Sequence, residues 1–96
     1  MIVHKQEYYE WIQQRGVGLH DKVASSFDSY ISYLNTVSEI LRQDISPDLL
    51  ASEEDVLGIA KKLEGHKKPK TIQNFKSAMR QYVSMVQSLS LSVPRS

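Results

Sequence analysis

The chain has 96 residues, no cysteine, 41% hydrophobic and 24% charged residues, and a formal net charge of +1. That length supports one domain with a modest core. The missing cysteines exclude disulfide frameworks and Cys-based zinc sites. The N-terminal MIVHKQEYYEW lacks the apolar stretch of a signal peptide, and no run approaches the ~18 apolar residues of a spanning helix. A cytoplasmic protein with no membrane partner is expected.

The charge is unevenly placed. Residues 1–60 hold four basic groups against ten acidic ones, whereas residues 61–96 hold eight basic groups against Glu64 alone. Such asymmetry points to a polyanion-binding surface. The plainer reading is that the two halves offset each other within the fold.

Four amphipathic helices are expected, in chain order. Over 4–15, Tyr8, Trp11 and Ile12 share a face, with Trp11 as a core anchor and Tyr9 directed elsewhere. Gly16 and Gly18 stop this helix, since glycine takes the left-handed conformation at a helix end without steric cost. Over 21–42, Asp21 is the N-cap, and Val23, Phe27, Tyr30, Ile31, Leu34, Val37 and Leu41 form a stripe wide enough for two neighbours. Its serines weaken helix propensity, so this element depends on packing. Ile45, Ser46 and Pro47 then break the period.

The third helix, over 52–64, is the best punctuated. Ser52 followed by Asp55 resembles a capping box, with Glu53, Glu54 and Asp55 in the first turn and Lys61 and Lys62 in the last to complement the dipole. Val56, Ile59, Ala60 and Leu63 form its buried side. Gly58 costs about 1 kcal/mol against alanine, which suggests close approach by a neighbour. Gly65 ends it. The basic linker HKKP leads to the fourth helix, over 71–89, capped by Thr71. Ile72, Phe75, Met79, Tyr82, Val83 and Val86 recur at three- and four-residue steps as its buried face. A flexible tail follows over 90–96. Together these make a single all-α domain, a four-helix bundle.

No enzyme chemistry is legible. His4, His20 and His66 fall in or beside turns, without the spacing that would set two on one helical face as metal ligands. No glycine-rich phosphate loop or nucleophile elbow is present. The acidic trio at 53–55 is better explained by the helix dipole than by a metal, and Asp44 and Asp48 suit a turn. No catalytic residue, metal or cofactor is expected.

The basic constellation is the candidate site. Lys67, Lys68 and Lys70 sit just before a helix start, where free amides and the dipole favour anions. Lysine and arginine contacts to phosphate carry most non-specific DNA affinity. Gln73, Lys76 or Ser77, and Arg80 follow on one exposed strip, from which Gln73 and Arg80 could reach base edges in a major groove. Double-stranded DNA is the expected partner. The plain alternative is a solubilising lysine loop. The rival function is a protein–protein adaptor or homodimer that uses the acidic half, or exposed Tyr8 and Tyr9.

The succession SEEDVLGIAKKLEG and KTIQNFKSAMRQYVSMV resembles the SAM-like helical N-terminal, or core-binding, domain of phage integrases and other tyrosine recombinases. That domain reads as a Tyr-containing long helix (here Tyr30 and Tyr33) and a short helix opening on Asp and a hydrophobic residue (Asp55, Val56). A Thr-led helix with a Ser-Ala-hydrophobic-Arg-x-aromatic core completes it (Thr71, then Ser77, Ala78, Met79, Arg80 and Tyr82). A similar module precedes the catalytic part of some bacterial restriction endonucleases. The resemblance covers 20–88 and rests on pattern. It implies a non-catalytic domain that clamps duplex DNA through Lys67, Lys68, Lys70, Gln73, Lys76 and Arg80, with a catalytic partner domain or protein. The recombinase Arg, His and Tyr constellation is absent, and the helix over 4–15 lacks a counterpart. The chain is then one domain of a longer protein, or a stand-alone relative that kept the fold without the reaction.

Overall fold

The computed structural model describes residues 1–15 and 25–91. They form α1 (Lys5–Arg15), α2 (Ser25–Leu41), α3 (Glu53–Leu63) and α4 (Pro69–Ser88), an all-helical architecture. No strand forms among the described residues; one isolated bridge pairs Ile2 with Ile45. Asp21, Val23, Gly16, Gly18 and His20, and the Phe27 side chain, fall outside the described residues.

The fold is organised by α4, which packs on each of the other three helices, while α3 packs chiefly on α4. The shortest dimension of the molecule is 20 Å, about two helix diameters. The expected stripe of α4 is buried in full, and Ala78 and Met85 widen it. That width is what lets one helix serve three neighbours. Tyr33 of α2 meets Phe75 of α4 with ring centroids 5.5 Å apart, inside the range for attractive aromatic pairs.

Three helix ends differ from expectation for local reasons. Helix α4 starts at Pro69, with Lys68 as an extended N-cap and no side-chain cap. Thr71 is therefore the third residue of the helix and not its cap. Proline at the first position suits a helix start, since its missing N–H would be unpaired there anyway, and it forces the residue before it into extended geometry. Helix α2 closes through Arg42 in the left-handed region (φ 56°), with the Gln43 amide donating to the Ser38 carbonyl at 3.2 Å. The end of α4 repeats this with Ser90 (φ 54°) and a Leu91 amide donating to Val86 at 2.9 Å. Both are Schellman closures that reuse helical carbonyls. Leu91 packs on the core, so the expected tail over 90–96 does not begin at 90.

Helix α3 follows its punctuation. Ser52 is the extended N-cap, and the Asp55 carboxylate accepts from the backbone amides of Ser52 at 3.2 Å and Ala51 at 2.9 Å. Gly58, however, lies on an exposed face, where an added Cβ would meet nothing within 4 Å. Among the described residues no neighbour approaches it.

The segment before α3 is more than the break expected of Ile45, Ser46 and Pro47. Ile45 and Leu50 are fully buried. The Val3 amide donates to the Ile45 carbonyl at 2.7 Å, and the Ile45 amide to the Met1 carbonyl at 2.9 Å. Tyr82 of α4 seals this clasp by donating its hydroxyl to the Val3 carbonyl at 2.6 Å. Burial pushes the Tyr82 hydroxyl well above its usual pKa.

In α1 the fully buried residues are Tyr8 and Ile12, whereas Trp11 and Tyr9 are half-buried against the core. Trp11 is thus a flank of the core and not its anchor. Tyr8 takes that place: its ring lies 5.6 Å from that of Tyr82, and its hydroxyl donates to the Ala78 carbonyl at 2.9 Å. Burial raises the Tyr8 pKa strongly, with a smaller push from Tyr30 and Tyr82.

Candidate nucleic-acid interface

Helices α3 and α4 form an antiparallel hairpin whose tight turn is the basic linker. After Leu63 the chain makes one further turn, with the amides of His66 and Lys67 both donating to the Leu63 carbonyl at 2.9 and 3.0 Å. Lys68 then extends and Pro69 opens α4. Every residue from Glu64 to Lys70 is exposed. Among the described residues no carboxylate pairs with Lys67, Lys68 or Lys70. Three ammonium groups are thereby held on the turn and the first turn of α4, a helix start that lacks a side-chain cap.

Between the end of α3 and the start of α4 runs an open groove of about 390 Å³, lined by Ala60, Glu64, Lys67, Pro69, Ile72, Gln73 and Lys76. The structure thus gathers Lys67, Gln73 and Lys76 around one depression. Lys68 is the N-cap of α4 and Lys70 lies in its first turn, inside the helix rather than before it. The groove's lining combines apolar Ala60, Pro69 and Ile72 with Lys67, Gln73, Lys76 and a single acid, Glu64.

Arg80 is placed differently. Its Nε donates to both carboxylate oxygens of Glu53 at 3.0 Å, and a terminal guanidinium nitrogen lies 3.0 Å from one of them. The hydrogen bond from Arg80 holds the Glu53 carboxyl below its usual range, and the same bond raises Arg80. A charge-assisted, forked pair of this kind fixes the guanidinium in place. Next along α4, the Gln87 side chain donates to the Ala51 carbonyl at 3.1 Å. The strip of Gln73, Lys76 and Arg80 therefore divides: its first part is open, and its far part ties α4 to the start of α3. Sequence reasoning missed the Glu53–Arg80 pair, although an acid in the first turn of one helix and an arginine on the next are its raw material.

The rival surface also changes. Tyr8 is completely buried and bonded to α4, so it presents nothing to a partner, and only Tyr9 keeps partial exposure. Among the described residues no three His, Asp or Glu side chains gather as a metal site, and no helix is long and apolar enough to cross a membrane. No family model matches the chain, and neither a curated protein nor a solved structure matches it.

Proposed function

We propose that the protein is a DNA-binding helical module that neutralises duplex phosphates with Lys67, Lys68 and Lys70 and lays the start of α4, with Gln73 and Lys76, against the groove edge. The observation that carries this reading is the fully exposed run Glu64–Lys70, whose three lysines have no carboxylate partner among the described residues. Phosphate oxygens are the ligands such a loop suits, because ammonium groups and outward helix amides act on the same charge. The pattern shared with integrase core-binding domains over 20–88 agrees with it. Arg80 takes a supporting part in this reading: paired with Glu53, its guanidinium is turned toward α3 rather than offered to bases.

The test is binding to a random-sequence duplex of 20–30 base pairs at low and at physiological salt. With three to five cationic contacts, log K is expected to fall with log salt at a slope of roughly −3 to −4.5. Charge reversal of Lys67, Lys68 and Lys70 together should weaken binding across all sequences and flatten that slope by about one unit per lysine. Gln73→Ala should change sequence preference alone. Absence of binding at low salt, or wild-type binding by the triple variant, overturns the reading.

A further inference from the structure

Helix α3 faces α4 with Val56, Ile59, Ala60 and Leu63, and leaves Glu54, Leu57, Gly58 and Lys61 exposed. Two features of that outer face have no account among the described residues. Leu57, mid-helix, keeps 49% of its surface exposed. Beside it is a glycine with open space where a side chain would stand. Glycine is a weak helix former because it loses the most backbone freedom on ordering, and nothing among the described residues requires its small size.

The charges on the face are self-complementary. Glu54 and Lys61 stand at equal distances on either side of the Leu57–Gly58 midpoint, and both lie near the centre line of the exposed face. We infer that α3 pairs antiparallel with α3 of a second copy, about a two-fold axis between Leu57 and Gly58. In that arrangement Glu54 meets Lys61 of the partner subunit, and the contact occurs twice by symmetry. The two Leu57 side chains meet at the centre, and Gly58 lets the backbones come near the lower end of the usual 8–10 Å interaxial range, about 8 Å. Parallel pairing would set Glu54 against Glu54 and Lys61 against Lys61, which like-charge repulsion disfavours. None of these four residues belongs to the basic surface, so the inference stands apart from DNA binding. One 11-residue helix per copy buries less than the ~1,200 Å² of a standard stable interface. The pairing is therefore a reversible, concentration-dependent equilibrium.

The experiment is sedimentation of the purified chain without DNA over a concentration series reaching about 1 mM, the weak end of measurable affinity. The average mass is expected to rise toward that of a dimer. Leu57→Ser should raise the dissociation constant at least about tenfold, with circular dichroism unchanged because the residue is exposed. Glu54→Lys and Lys61→Glu should each weaken pairing, and the two together should bring it back to within about twofold of wild type. Gly58→Ala should raise the melting temperature yet weaken association, a pair of opposite signs that a purely internal role for the glycine does not produce. A monomer mass throughout the series overturns the inference. So does wild-type association by Leu57→Ser or by Gly58→Ala, or a double charge reversal no better than either single change.

Discussion

The two flanks of α4 are held by opposite kinds of contact. Toward α1 and the N-terminal segment, the seam is buried, and its polar links are tyrosine hydroxyls aimed at backbone carbonyls: Tyr8 to Ala78, Tyr82 to Val3. Toward α3, an apolar seam is bordered by exposed links, the Glu53–Arg80 pair and the Gln87–Ala51 bond. A buried hydroxyl must keep its partner, because an unpaired one costs its full desolvation. An exposed ion pair exchanges cheaply for water and salt. The α1 flank is thus where substitution costs stability. The α3 flank, with the basic loop at its turn, is where charges can change while the fold persists.

The sharpest way to break this contrast is to hollow out the α1 flank. Tyr8→Ala removes a fully buried aromatic ring and should cost about 3–5 kcal/mol, read from urea unfolding; Tyr8→Phe keeps the ring and should cost only about 1 kcal/mol. A loss below 1 kcal/mol for Tyr8→Ala would contradict its place at the centre of the core.

Alkaline pH probes the same flank without substitution. The folded-state pKa values of Tyr8 and Tyr82 are raised above that of an exposed tyrosine, chiefly by burial. The folded state therefore holds these protons more tightly than the unfolded state. Their stabilisation is complete below about pH 10, the unfolded tyrosine pKa, and is lost as pH rises beyond it. An ultraviolet titration of phenolate formation should show Tyr8 and Tyr82 ionising only with unfolding. All five tyrosines titrating together near the ordinary value would refute the buried seam.

The smallest effect belongs to the α3 flank. Arg80 and Glu53 side chains are each about half exposed (46% and 53%), so Arg80→Ala should cost only about 0.5 kcal/mol after solvent screening. Because Arg80 lowers the Glu53 pKa, the pair's contribution is present above the ordinary carboxylate pKa and fades as pH falls through the lowered one. A double-mutant cycle with Glu53→Gln at neutral pH and again in acid measures both.

What the sequence made legible follows the range of the forces involved. The buried stripe of α4 and the capped start of α3 depend on residues three or four positions apart, and periodicity exposes both. Thr71 was a plausible cap by residue type, but Pro69 two positions earlier governs the geometry, since its ring fixes its own φ and extends Lys68. Ile45 and Leu50 carry no period, and Ile45 pairs with a segment more than forty residues upstream. Periodicity sets Tyr8 on the face of Ile12 and turns Tyr9 away, but the partner of the Tyr8 hydroxyl, the Ala78 carbonyl, lies 70 residues away. The candidate site divides in the same way. The exposure of Lys67, Lys68 and Lys70 follows from a polar linker, while the engagement of Arg80 depends on Glu53 at a separation of 27 residues.

The central place of α4 sets an order of events at synthesis. Helices α1, α2 and α3 all pack on an element translated after them. Until residue 88 clears the ribosome, Tyr8 lacks its carbonyl, the Val3 clasp lacks its seal and α3 lacks its main neighbour. The domain therefore holds its apolar faces open until its last helix has emerged, the stage at which such chains depend most on chaperones.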